Sequence, residues 1–189
     1  MAIDFTFSPE QRDLQRQSRR VAREVLSQVP SAIQGLATPR ERFCATRPMY
    51  EQVIREGFLR RLIPMPFGGE GTGLLDMAIV AEEFHAVDCN VSLTLFANIL
   101  GLAPVFIAGS PDQQRRLIAP FLNKQGAPLA ALANSEPGGS ANFASPPPGA
   151  GVRSTATRID GGWRIDAEKQ WVSNATGWDG SGAVARQSG

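Results

Sequence analysis

The spacing of apolar residues changes once along this chain, near Gly126, and the change fixes its class before any single residue is considered. Ahead of Gly126 the apolar residues recur at helical intervals; beyond it they alternate. Ser8-Pro9-Glu10-Gln11 supplies an N-cap serine, a first-turn proline and a glutamine at N3. Leu14, Val21, Val25 and Leu26 continue that helix to about residue 29, where Pro30 is expected to end it. A second helical stretch is expected over 39–56, broken at Pro48 and closed by Gly57. Residues 62–67 should be extended, since each proline keeps its predecessor out of the helical region, and the glycine run 68–73 should be a loop. Helices resume over 74–87 and 91–108, the latter so apolar that burial on all sides is expected. Ser110-Pro111-Asp112 caps another, running to about residue 122. Afterwards 127–133 is a short apolar run, 146–149 a stiff proline loop, and 152–159 an alternating strand. Gly161-Gly162 turns that strand into 163–167, and 169–173 is a further strand. The expected class is α+β: an all-helical unit over 1–126, then the opening strands of an antiparallel β unit over 127–189.

Several functions are disfavoured by what the chain lacks. A net charge of +1 gives no field for nucleic acid or an anionic membrane. No apolar run is expected to reach the roughly 18 residues of a membrane span. Met1-Ala2-Ile3-Asp4-Phe5 has no basic leader pattern, so a cytoplasmic location is expected. Cys44 and Cys89 make no disulfide framework and have no metal-ligand spacing; both are expected to be buried or half-buried thiols. His85, the only histidine, falls within a helix and should lie on its surface, which leaves hydrolase triads poorly supplied. The glycines of 68–73 lack the G-x-G-x-x-G spacing of a dinucleotide site.

Two polar segments carry the chemistry. The first is Leu132-Ala133-Asn134-Ser135-Glu136-Pro137-Gly138-Gly139-Ser140-Ala141-Asn142; the second is Lys169-Gln170-Trp171-Val172-Ser173-Asn174. They offer hydroxyls, amides and approachable glycines but no strong nucleophile, an inventory suited to holding a polar cofactor. A flavin needs donors at N5 and at its pyrimidine carbonyls, where charge builds on reduction, and an apolar wall for its ring. Its pyrophosphate needs backbone N–H groups that can come close. Ser135 and Ser173 are suitable hydroxyls, Trp171 a suitable wall, and Gly138-Gly139-Ser140 a suitable turn. The same residues also suit an ordinary loop with a core tryptophan, and chemistry alone leaves both readings open.

In order and spacing, both segments resemble the flavin-binding segments of the acyl-CoA dehydrogenase superfamily, and the resemblance favours the cofactor reading. Ser135-Glu136-Pro137 stands for its T-E-P, Trp171-Val172-Ser173-Asn174 for its W-I-T-N, and Ile63-Pro64 with Phe67-Gly68-Gly69 for its I-P-x-x-x-G-G. The resemblance runs through the chain and fades from about Val184. It implies FAD as cofactor, with Leu132, Ala133, Asn134 and Ser135 at the isoalloxazine ring. Ser140, Ala141 and Asn142 would lie towards the ribityl and pyrophosphate. Trp171, Val172 and Ser173 would cover the ring, the Ser173 hydroxyl near N5. Ala141 stands where acyl-CoA dehydrogenases tend to have serine, and Asn142 where they have Asp. With Ala45-Thr46-Arg47-Pro48 and Gly177-Trp178-Asp179, this is more similar to the nitroalkane oxidase branch.

The resemblance implies a small-molecule substrate, acyl-CoA or nitroalkane-like, a homo-oligomer, and a reaction in which a carboxylate removes a proton beside an activating group before electrons reach flavin N5. That carboxylate normally lies in a C-terminal helical domain. Gly189 precedes any such domain, so no catalytic residue is assigned, the β unit is expected not to close, and the chain alone is expected to be inactive. Glu82 and Glu83 are expected to be solvated, and Glu136 to bond within its own loop. The alternative function is a non-catalytic relative serving as an oligomerisation or interaction module.

Overall fold

The structure is a computed structural model that describes residues 6–138, 145 and 151–178. The first helix, α1 (Pro9–Glu24), starts on the expected reciprocal cap: Ser8 Oγ accepts from Gln11 N (3.2 Å) and Gln11 Oε1 accepts from Ser8 N (2.9 Å). Pro30 does not end this run. A 3₁₀ turn (Leu26–Gln28) leads into α2 (Val29–Ile33), where Pro30 occupies the first turn and its missing N–H costs no helical bond. Helices α3 (Pro39–Ala45) and α4 (Arg47–Arg55) follow, with Pro48 again in a first turn. Gly57, at φ 86°, closes α4 and opens α5 (Phe58–Leu62), a short helix the polar punctuation around it did not suggest. Ile63 and Pro64 are extended as expected, but Met65–Phe67 coils into a 3₁₀ turn.

Helices α6 (Leu74–His85), α7 (Cys89–Ala108) and α8 (Pro111–Ile118) complete the helical layer. The core gathers Val21, Leu26 and Val29 with Tyr50, Val53 and Ile54 of α4, Phe58 and Leu59 of α5, Phe84 of α6, and Val91 and Leu95 of α7. Burying this much aliphatic and aromatic surface is the main force holding the helices together. Helix α7 corrects two expectations. At 20 residues with a mean hydropathy of 2.0 it is long and apolar enough for a membrane span, yet Val91, Leu95, Asn98 and Leu102 are buried within the helical core. It is also not buried on all sides: Leu93, Leu100 and Ile107, seven residues apart, are 53%, 55% and 85% exposed.

Beyond Gly126 the expected strands form only in part. β1 (Thr155–Ile159) and β2 (Gly162–Asp166) make an antiparallel hairpin, Thr155 opposite Asp166 and Ile159 opposite Gly162. Among the described residues, neither 127–133, read as a short apolar run, nor 169–173, expected as a strand, forms a ladder. The reason is visible in their bonding: side chains, not a neighbouring strand, satisfy the backbone of the first segment. Pro128 O accepts from Tyr50 Oη (2.7 Å), Ala130 N donates to Asn98 Oδ1 (2.6 Å), and Ala127 O accepts from Trp178 Nε1 (2.8 Å). A backbone satisfied in this way has no need of a partner strand. Trp178 stacks on Phe43 at 4.5 Å and its carbonyl accepts from Cys44 Sγ, fastening this region to α3. The proline loop at 146–149 and the closing stretch after Trp178 lie outside the described residues.

Candidate functional site

Residues 130–136 and 169–174 lie side by side and run in opposite directions. Gln170 N donates to Ser135 O (3.0 Å), and Asn174 Nδ2 donates to Ala130 O (3.1 Å). Lys169 Nζ reaches Asn134 O (3.3 Å), and Gln170 Nε2 reaches Glu136 O (3.2 Å). The two polar segments therefore meet, as their flavin reading requires.

Glu136 is the fastener, and it does not bond within its own loop as expected. Its carboxylate accepts from Arg153 N (2.6 Å), Ser154 N (3.1 Å), Ser154 Oγ (2.5 Å) and Lys169 Nζ (2.7 Å), although the residue is only 4% exposed. Lys169 above all, then the Ser154 hydroxyl and the Arg153 amide, pull its pKa down to about 2. A carboxylate so well satisfied and so weakly basic is not a proton-abstracting base. Glu83 corrects the solvated expectation as well: it is 8% exposed and paired with Arg19 of α1 at 2.6 Å and 2.8 Å, which lowers its pKa. Glu82 is exposed.

Of the expected ring-facing residues, Leu132 and Ser135 are half-buried, while Ala133 and Asn134 are exposed. Trp171 is not a strand residue. It takes a left-handed backbone, φ 59°, in the turn after Gln170, which leaves its indole 84% exposed. Val172 is half-buried and accepts from Ala175 N (3.4 Å). Ser173 lines a cleft of about 430 Å³ whose other walls are Phe43 and Arg42 of α3 and Asn90, Leu93 and Thr94 of α7. Ser140, Ala141 and Asn142 lie outside the described residues. His85 is on the helix surface as expected, its Nδ1 2.7 Å from Ser92 Oγ. Cys89 is exposed, contrary to expectation, and Cys44 half-buried. Among the described residues no cluster of His, Cys, Asp or Glu is arranged for a metal ion.

Helix α7 supplies what the sequence reading missed. Asn98, fully buried, donates to Tyr50 Oη (2.8 Å) and accepts from Ala130 N. Gly101, one turn on, lets segment 130–131 lie against the helix: a Cβ there would stand 2.7 Å from Ala131 N and 2.8 Å from Ala130 C. A lone amide within an apolar run was the available signal for Asn98, since such a group must find partners when buried.

Residues 8–125 match the family described as acyl-CoA dehydrogenase, N-terminal domain. The chain belongs to the acyl-CoA dehydrogenase family. Among curated members of this kind it is 38% identical over 181 residues to nitroalkane oxidase of Fusarium oxysporum, covering 96% of this chain and 41% of the relative. It is 39% identical to nitroalkane oxidase of Podospora anserina, covering 96% of this chain and 42% of that one. A solved structure of the flavoprotein nitroalkane oxidase superposes with a TM-score of 0.90 at 37% identity, over 95% of this chain and 42% of its own. The chain thus spans about two-fifths of the length of these relatives, and within that span it has the acyl-CoA dehydrogenase fold: the N-terminal helical domain and the start of the middle β domain.

Proposed function

We propose that the two polar segments form part of an FAD site in an oxidoreductase that removes a proton beside an activating group and delivers electrons to flavin N5. The observation carrying this reading is the antiparallel pairing of the segments, Gln170 N to Ser135 O at 3.0 Å, beside an indole left 84% exposed. An aromatic face held out by a left-handed backbone is unfavourable in water and suited to a flat apolar partner. In this arrangement Leu132, Ala133, Asn134 and Ser135 border the ring, and Trp171, Val172 and Ser173 cover it. Ser140, Ala141 and Asn142 are assigned to the ribityl and pyrophosphate from the family resemblance alone. Bound FAD supplies the electron acceptor. The chain's own hydroxyls and amides hold and orient it, and Glu136 with Lys169 keeps the segments in register.

The substrate is a small molecule with an acidic C–H bond, nitroalkane-like in preference to a CoA thioester. Identity of 38–39% to two nitroalkane oxidases supports this choice, as do Ala141 and Asn142. Among the described residues Glu136 and Glu83 are already committed to other partners. On the family resemblance, the base belongs to sequence corresponding to the larger part of the relatives that this chain does not match. The same part completes the flavin contacts, in a homo-oligomer, so the present chain binds FAD only in the micromolar range or weaker and is not active alone. Titrating FAD and following its fluorescence tests this. The expected result is saturable binding that weakens at least tenfold, about 1.4 kcal/mol, in Trp171→Ala. A wild-type chain that leaves FAD fluorescence unchanged at millimolar concentration overturns the flavin reading, and a nanomolar complex overturns the incompleteness.

A further inference from the structure

We infer that the side chains of Asn98 and Asn174 form an amide junction that fixes helix α7 and the two polar segments in one relation, which makes Asn174 a positioning residue for Ser135 and Ser173. The geometry centres on Ala130. Its N–H donates to Asn98 Oδ1 at 2.6 Å, and its carbonyl accepts from Asn174 Nδ2 at 3.1 Å. Both amides also converge on one helix carbonyl: Thr94 O accepts from Asn98 Nδ2 at 2.9 Å and from Asn174 Nδ2 at 3.1 Å. Ala130 lies outside any strand, so these two asparagines do for its backbone what a ladder would otherwise do.

The junction, Ala130 to Asn174, pins one end of the paired segments, and the bonds of Lys169 and Gln170 to residues 134–136 pin the other. Between the pins lie residues 131–134 on one side and Trp171, Val172 and Ser173 on the other, which include most of the residues assigned to the ring. Two cross-links bracketing a short stretch leave it little freedom to splay, whereas one cross-link leaves it a hinge. Asparagine suits position 174 twice over. Its backbone is left-handed at φ 65°, which asparagine tolerates better than most residues. Its amide nitrogen presents donors to two carbonyls, where an aspartate would set oxygen against oxygen.

The functional consequence rests on the flavin reading, but the junction is testable without flavin. Asn174→Gly keeps the left-handed backbone and removes only the amide, so it separates the pin from strain. Hydrogen exchange measured by NMR on this chain should show the bonded amides at the two ends, Ala130 N–H and Gln170 N–H, exchanging about tenfold faster in the variant, the effect of about one hydrogen bond. Amides of α1 serve as the reference and should be unchanged. Exchange that is unaltered at Ala130 and Gln170 overturns the junction. FAD titration then reads the positioning role: weakening of about tenfold, with a shift in the visible band of the bound flavin, is expected in Asn174→Gly. Wild-type affinity with the wild-type band in a variant whose exchange is altered overturns that role. If wild-type chain fails to bind FAD, the flavin reading falls and the exchange result alone decides the junction. Should Asn174→Gly unfold, Asn174→Asp supplies the same comparison, with faster exchange at Ala130 and Gln170 expected and wild-type exchange there overturning the inference.

Discussion

Replacing Gly101 with alanine sets two effects of opposite sign against each other within one helix. Gly101 lies inside α7, where glycine is less favourable than alanine by about 1 kcal/mol, so on propensity alone the variant gains stability. Against this stands the approach of segment 130–131. A Cβ on Gly101 would meet Ala131 N at 2.7 Å, Ala130 C at 2.8 Å and Ala130 Cβ at 2.9 Å, and the first two are backbone atoms that cannot rotate away. Overpacking of this kind costs about 1–3 kcal/mol. Moving the segment outward also stretches the 2.6 Å bond from Ala130 N to buried Asn98, a further loss of about 1 kcal/mol. The clash therefore wins, and Gly101→Ala should destabilise the chain by about 1–3 kcal/mol net. For a protein of this size each kcal/mol moves Tm by about 2–4 °C. Calorimetry should show a lower Tm, and urea denaturation followed by tryptophan emission should show a lower midpoint, since Trp178 is bonded to Ala127. A variant with unchanged or raised Tm would show that the segment does not rest on α7, and the placement of Leu132 to Ser135 would fall with it.

Three other outcomes follow from named contacts. Glu136, held down to about 2 from an ordinary 4.5, contributes stability that is full above 4.5 and is lost as pH falls towards 2; the stability difference between wild type and Glu136→Gln should shrink across that window, and a difference that is flat with pH would remove the ionised clamp. In the Arg19–Glu83 pair, Arg19→Ala should lower the urea midpoint more than Glu83→Leu, because the first strands an 8%-exposed carboxylate and the second leaves a half-exposed guanidinium in water; the reverse order would contradict the burial. In a chimera carrying the remaining part of a nitroalkane oxidase relative, Ser173→Ala should slow flavin reduction by roughly ten- to a thousandfold in rapid mixing, the loss of one oriented donor, and an unchanged rate would take Ser173 out of the site.

The helices were legible because their signals are local. Ser8, Thr38 and Ser110 each precede a proline and stand three residues before a Gln or Glu, and each makes the reciprocal cap in the structure. Gly57 was legible as a stop for the same reason, since a left-handed residue at a helix end favours glycine. Pro30 misled because a proline after a helix and a proline in the first turn of the next look alike in sequence; the 3₁₀ turn that separates them leaves no compositional mark. The exposed face of α7 was hidden for a related reason. Apolar residues on every side imply apolar surroundings on every side, and only the packed fold shows that Leu93, Leu100 and Ile107 point away from the helical core.

The two polar segments were legible in the sequence, whereas the groups that hold them side by side were not. The short apolar run over 127–133 and the strand expected over 169–173 rest on which residues avoid water, which says nothing of where backbone donors and acceptors go. In this fold they go to side chains distant in sequence: Tyr50 to Pro128, Asn98 to Ala130, Asn174 to Ala130, Trp178 to Ala127. Each is a polar or aromatic side chain whose partner lies between 32 and 78 residues away in the first and second of these bonds and 44 and 51 in the others. No local rule pairs residues at such separations. What the sequence does offer is an obligation: Asn98 within an apolar helix, and Glu136 beside a proline, are groups that burial penalises unless they are satisfied. Taken as a demand for partners, Asn98 calls for a donor to its amide oxygen, and Glu136 for a cation. Lys169 and Ala130 meet those demands, and in doing so they bring the two polar segments together.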